Sequence, residues 1–263
     1  MLKASNLIWE KIRQESFLIK DKEPLLADLY SSFILEHKTF SRCLSFILSK
    51  KIESSFLSQK DLNLLFKNAY QKEPKLVDDA LRDLDAVINR DPAIKEYVNV
   101  LLHLKGYHAL QAYRLTHWLW KSGRTSIALL IQNIISVQLQ VDIHPAAKIG
   151  SGVMFDHATG IVIGETSIVS DNVSILQNVT LGGTGKESGD RHPKIGEGVM
   201  IGAGSKVLGN ISIGKGAKIA AGSVVLENVP GQTTVAGVPA KKIGRPSVQM
   251  PAQEMDQFIK NKS

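Results

Sequence analysis

The sequence predicts an α+β chain of two unlike parts, an all-helical N-terminal domain over 1–140 and a parallel β-helix of hexapeptide repeats over 141–245. Three observations carry this division. Before residue 140 apolar residues recur three and four apart and glycine is almost absent. After it the apolar period becomes six and glycine is frequent. One polar, glycine-rich segment then interrupts the six-residue period.

In the first part, Leu25, Leu26, Leu29, Tyr30 and Phe33, and again Leu76, Ala80, Leu81, Leu84 and Ile88, mark the apolar faces of amphipathic helices. Ser58 with Asp61 has the form of a capping box, and Pro74 and Pro92 stand where first-turn prolines belong. These marks divide the part into six to eight helices. The last of them, with Leu115, Trp118, Leu119, Ile127, Leu130, Ile131 and Val137, lead into the repeats. Cys43, set among Leu44, Phe46, Ile47 and Leu48, reads as a buried, inert thiol.

In the second part an aliphatic or aromatic residue returns every six positions. The series runs Ile143, Ile149, Phe155, Ile161, then in a shifted phase Ile163, Val169, Ile175, Leu181, and after a break Ile195, Ile201, Val207, Ile213, Ile219, Val225. Each such residue points inward and stacks on the coil below, small residues turn the corners, and three repeats make one coil. The segment 182–194, GGTGKESGDRHPK, breaks the period and must leave the coil as a loop, with Arg191 and His192 at its return. The residues 246–263 form a polar tail expected to be mobile.

Composition narrows the class. With 43% apolar residues the chain can bury a core, and a net charge of +7 fits an anionic partner. Scattered lysines and only 6% aromatics argue against nucleic acid. No run approaches the length of a membrane helix and no apolar signal-peptide core is visible, so a cytoplasmic protein without membrane association is expected. One cysteine allows neither an intrachain disulfide nor a cysteine metal cluster.

The chemistry concentrates where corners break the rule of small residues. Phe155-Asp156-His157-Ala158-Thr159-Gly160 offers an acid and an imidazole side by side, suited to proton abstraction near neutral pH. Asp142, fifteen residues back, falls nearly one coil away and within reach of His157 to fix its tautomer. Taken singly, His157 also has the reading of a packing histidine and the loop that of a solvated insertion. The run Gly182-Gly183-Thr184-Gly185 lacks the Walker spacing and is not a phosphate cradle.

Taken together, the strings Asp142-Ile143-His144-Pro145-Ala146-Ala147, Asp156-His157-Ala158-Thr159-Gly160, Leu181-Gly182-Gly183-Thr184-Gly185 and Gly189-Asp190-Arg191-His192-Pro193 resemble those of bacterial serine O-acetyltransferases, members of the hexapeptide-repeat acyltransferases. So do the stretch from Leu104 to Arg114 and the string Ala236-Gly237-Val238-Pro239-Ala240. The resemblance implies a left-handed coil and transfer of acetyl from acetyl-CoA to the hydroxyl of L-serine, giving O-acetyl-L-serine for cysteine synthesis. An alcohol attacks a thioester well only as a base removes its proton, so a sequential mechanism needs one placed imidazole, no enzyme nucleophile and no metal. His157 is the expected base and Asp142 its orienter. Asp91 and Asp156 are implied for the serine ammonium, Arg191 and His192 for its carboxylate. Asp91 reads on its own as a helix N-cap before Pro92.

The Gly183 amide is the expected oxyanion donor. Ala203, Gly204, Ala221 and Gly222 would admit the pantetheine arm, with Lys218, Lys241 and Lys242 at its phosphates, although each small residue reads equally as a plain turn residue. The resemblance further implies trimers with sites between neighbouring coils, trimers paired through the helical domains into hexamers, and inhibition by L-cysteine. In many relatives a C-terminal isoleucine docks into O-acetylserine sulfhydrylase; this chain ends Ile259-Lys260-Asn261-Lys262-Ser263, which argues against that complex. Three rivals stay open: an acetyltransferase acting on sugars or antibiotics, a γ-type carbonic anhydrase using His144, His157 and His192, and a non-catalytic scaffold.

Overall fold

A computed structural model describes residues 2–185 and 188–259, the side chains from Leu7 onward. Among the described residues eight α-helices fill the first part: α1 (Leu2–Lys22), α2 (Ala27–Tyr30), α3 (Phe40–Lys51), α4 (Gln59–Lys72), α5 (Lys75–Arg90), α6 (Tyr97–His103), α7 (Lys105–Lys121) and α8 (Thr125–Leu139). The Ser58 hydroxyl accepts from the Asp61 amide at 3.2 Å and donates to the Asp61 carboxylate at 2.6 Å, so Ser58 caps the helix while the Asp61 carboxylate takes its hydroxyl in place of its backbone amide. Pro74 sits at the N-cap of α5. Pro92, however, opens no helix: α5 ends at Arg90, and Asp91 turns the chain by accepting from the Ala93 amide at 2.9 Å. An aspartate-proline pair stops one helix as readily as it starts the next, and α6 begins only at Tyr97. Cys43 is fully buried, and burial pushes its thiol far above the ordinary range.

The second part winds into a three-faced prism. Face one stacks β1 (Val141–Ile143), β4 (Ile161–Ile163), β7 (Thr180–Gly182), β10 (Lys206–Leu208) and β13 (Val224–Val225). Face two stacks β2 (Lys148–Ile149), β5 (Ile168–Val169), β8 (Lys194–Ile195) and β11 (Ser212–Ile213). Face three stacks β3 (Met154–Asp156), β6 (Ser174–Leu176), β9 (Met200–Ile201), β12 (Lys218–Ile219) and β14 (Thr234–Gly237), closed by the antiparallel β15 (Ala240–Gly244). Every other pairing between these strands is parallel and in register, for example Ile175 on Ile201 and Ile201 on Ile219. Of the fourteen residues in the six-residue series all but Ile149 are buried, and Ile149 packs at the margin of the same core.

Register shows where the sequence adds to the coil. Val141 pairs with Ile161, a step of twenty residues, whereas Lys194 pairs with Ser212, a step of eighteen. The two extra residues lie in the corner that holds His157. Between Ile168 and Lys194 the step is twenty-six, so the interrupting segment adds eight.

Charged side chains of α5 and α7 fasten the helices to the coil. Asp83, fully buried, accepts from the Arg114 guanidinium at 2.6 Å, from Gln111 at 2.9 Å and from the Val153 amide at 3.0 Å. Arg114 in turn donates to the Gly150 carbonyl at 2.7 Å, and Arg90 to the Gly152 carbonyl at 2.8 Å.

The expectation of a mobile tail does not hold for its described part. Ala252 packs on Leu176 and Met200, its amide donates to the Gly198 carbonyl, and its carbonyl accepts from the Ser174 hydroxyl at 2.9 Å. A mostly polar segment is held because its backbone groups find partners on the outer side of face three. Residues 260–263, on which the docking expectation rests, lie outside the described residues. No helix among the described residues is long and apolar enough to cross a membrane.

Candidate functional site

The edge where face three turns into face one carries the first group of residues. His157 and Ala158 both take left-handed backbone angles, φ 54° and 61°, which L-residues adopt only at a cost and which a rigid coil on both sides enforces. This throws His157 outward: its side chain is 75% exposed, with Nε2 3.8 Å from the Asp156 carboxylate. Burial raises the Asp156 pKa, the His157 ring opposes that shift, and the nearby Asp91 carboxylate adds to it. Asp91, Asp156 and His157 therefore share one place.

Along the same edge the coils continue upward through an amide ladder. Asn178 donates to the Thr159 carbonyl at 2.7 Å, Gly204 to Gln177 at 2.9 Å, and Gly222 to Ala203 at 2.8 Å. Ala203, Gly204, Ala221 and Gly222 thus line a lane of small residues leading away from His157, with Lys206 reaching back to the Asn178 carbonyl at 2.5 Å. Lys241 and Lys242 lie exposed on β15 at the upper end of the coil. Lys218 departs from expectation. It faces the outer side of face three and is 3% exposed, its ammonium held by Asp256 at 3.0 Å and the Phe258 carbonyl at 2.6 Å. The tail occupies the position from which a phosphate would have to approach it.

The edge between faces one and two carries the second group. Arg191 and His192 return from the loop onto Glu165 and Thr166. The Glu165 carboxylate takes the Arg191 guanidinium at 2.7 Å, and that hydrogen bond holds its pKa below the usual range. The His192 ring is 7% exposed and lies flat over Gly164, where any Cβ would overlap it. Burial first, and then the Arg191 charge, lowers its pKa. Both effects favour the neutral form of the His192 ring, beside the Arg191 guanidinium. A Cβ at Gly183 would lie 3.6 Å from the Arg191 carbonyl, so Gly183 belongs with this second group.

Glu165, Thr166 and Gly164 were not legible as functional. Their signal is hidden by the loop: only when its eight added residues are removed does Thr166 fall one coil below His192.

Asp142 does not meet His157 within one chain. Because the first coil step is twenty residues, Asp142 stacks on Val162 and not near residue 157. Its carboxylate accepts from Gln132 of α8 at 2.7 Å. Among the described residues no hydrogen bond or ion pair joins Asp142 to His157. One chain therefore places the two groups on two different edges.

Comparison with known proteins places this geometry. A family model described as "Serine acetyltransferase, N-terminal" matches residues 8–112, and one described as "Bacterial transferase hexapeptide (six repeats)" matches residues 192–227. A serine acetyltransferase of Salmonella typhimurium is 54% identical over 253 residues, covering 96% of this chain and 93% of its own length. The crystal structure of the Vibrio cholerae serine acetyltransferase superposes with a TM-score of 0.95 at 53% identity, covering 97% of this chain and 98% of that one. A serine acetyltransferase in complex with cysteine gives 0.95 at 52% identity, with 97% and 99% covered. A Brucella abortus structure in complex with coenzyme A gives 0.91 at 46% (93% and 98% covered), and a soybean structure complexed with serine 0.89 at 50% (91% and 98%).

Proposed function

The chain belongs to the serine acetyltransferase family and is an acyltransferase; from that premise we propose that it moves acetyl from acetyl-CoA to the Oγ of L-serine at a site completed by two copies of the chain. The observation that carries this reading is the separation of the half-sites. The edge with His157, Asp156 and Asp91 holds a proton acceptor and a place for an ammonium, and it opens on the lane of small residues. The edge with Arg191, His192 and Gly183 holds donors for a carboxylate and an oxyanion. A serine zwitterion needs both, and a threefold arrangement of prisms sets one edge of each copy against the other edge of its neighbour.

In this site His157 takes the hydroxyl proton as Oγ attacks the thioester carbonyl, and the Gly183 amide meets the oxygen that gains charge. Collapse of the tetrahedral intermediate breaks the carbon–sulfur bond, and the departing thiolate recovers the proton from the imidazolium. The products are O-acetyl-L-serine and CoA. Asp142, anchored by Gln132, acts on His157 across copies. The coenzyme A complex of a relative supports acetyl-CoA as the co-substrate; its path in this reading is the lane of small residues, with Lys241 and Lys242 near its phosphates. Cysteine, which shares the ammonium and carboxylate of serine, competes for the same place, in keeping with the cysteine complex of another relative. Pairing of trimers through the helical domains completes a hexamer.

Mixing tests the two-copy site. His157→Ala and Arg191→Ala chains, each nearly inactive alone, are refolded together in equal amounts and assayed for thiol release. Random assembly leaves about a quarter of the sites with both halves intact, so activity recovers to roughly a quarter of the parent's. A mixture no better than either variant alone overturns the shared site while leaving the family's activity in place.

The pH profile gives a second test. Asp156 must be ionised to hold the serine ammonium, and its pKa lies above the ordinary carboxylate value. As pH falls, kcat/KM for serine therefore drops on a limb displaced upward from the usual carboxylate range. Asp156→Glu keeps a carboxylate limb, and Asp156→Asn removes it with a higher serine KM at all pH.

A further inference from the structure

The Thr166 hydroxyl, one coil below the loop's return, accepts hydrogen bonds from the Arg191 and His192 amides, each at 3.0 Å. With both lone pairs filled, it has only its proton to give, and the His192 Nδ1 stands 2.9 Å away. The Thr166 amide, which can only donate, points at the same Nδ1 from 3.2 Å. Two donors aimed at one ring nitrogen fix it as a lone pair, so the ring proton resides on Nε2. Nε2 has no hydrogen-bond partner among the described residues and is left for a ligand.

We propose that Thr166 is a positioning residue that locks His192 as an uncharged Nε2–H donor and anchors the Arg191-His192 backbone, so that the serine carboxylate is met by one cation and one neutral donor. This rests on the reading of Arg191 and His192 given above. The consequence is chemical as well as steric. An imidazolium here would lose both donors at Nδ1, and it would add a third positive charge beside Arg191 and Lys194. Glu165 offsets one such charge and is already engaged by Arg191; Asp190, the other acceptor near the hydroxyl, is taken by Lys194 at 2.5 Å. A neutral donor binds the carboxylate without drawing it out of line from Arg191, and it cannot protonate the base across the site.

The test compares Thr166→Val, which keeps shape and removes the hydroxyl, with Thr166→Ser, which keeps the hydroxyl. Nitrogen-15 shifts of the His192 ring should show the Nε2–H form throughout the neutral range in the parent and in Thr166→Ser. In Thr166→Val only the Thr166 amide still faces Nδ1, and the Arg191 and His192 amides lose their acceptor; the Nδ1–H form should gain population beside the Nε2–H form, and serine KM should rise on the order of 10-fold, as for loss of one hydrogen bond, with acetyl-CoA KM unchanged. An unaltered ring tautomer and an unaltered serine KM in Thr166→Val overturn the proposal. His192→Gln separates it from the underlying reading: if that variant binds serine normally, the carboxylate role of His192 is wrong, while the ring shifts still report on Thr166.

Discussion

Replacing His157 by alanine lowers turnover with acetyl-CoA and serine by a factor on the order of 10² or more, the usual worth of a positioned general base. The loss falls on kcat, because the side chain makes no packing contact that folding needs: it projects from a corner, largely exposed. Alanine at a left-handed backbone angle costs the corner about 1 kcal/mol, small against the stability of a stacked coil. His157→Asn, which tolerates that angle better and cannot accept the proton at neutral pH, should be equally inactive and more stable. Thiol release, size-exclusion mass and a thermal melt on both variants settle the matter. An oligomer of normal size that retains more than about a tenth of the parent's activity would remove His157 from the mechanism.

Substituting Asp83 by alanine destabilises the fold by about 3 kcal/mol, the cost of leaving the buried Arg114 charge without its closest partner and with only Asp79 at 3.8 Å. Asp83 is the single carboxylate that receives Arg114, Gln111 and the Val153 amide together. Its removal also leaves the buried Val153 amide without its acceptor, so that the coil corner is held to the helices by Arg90 and Arg114 alone of these groups. A melting temperature lowered on the order of 10 °C is expected for a chain of this size. The paired change Asp83→Leu with Arg114→Met, which removes both charges and keeps the volume, should restore most of that loss. Equal melting points for parent and Asp83→Ala would mean that the helices dock by apolar contact alone.

Much of the site was readable as residues and little of it as arrangement. The pairing of Asp156 with His157, and of Arg191 with His192, stands in adjacent letters, so each pair was bound to share a corner. The lane of Ala203, Gly204, Ala221 and Gly222 was also visible, since a constant eighteen-residue step stacks them automatically. Lys218 misled because a period places a residue on a face but says nothing of what else covers it, and the tail returns to cover it. The expected approach of Asp142 to His157 within one chain failed because a coil of twenty residues differs from one of eighteen by enough to move its stacking partner from the corner to a strand.

The sequence by itself determined the two-part architecture, the inward column of aliphatic residues and the kinds of chemistry available at the corners, because hydrophobic periodicity and backbone preference act over a few residues and are written locally. Tertiary structure alone decided which corners share an edge, that His157 and the Arg191-His192 pair lie on different edges, and that the Thr166 hydroxyl meets the His192 ring. Those relations depend on the exact number of residues per coil and on contacts between segments many positions apart. A count of two or eight extra residues changes no local preference, yet it redirects every stacking contact above it.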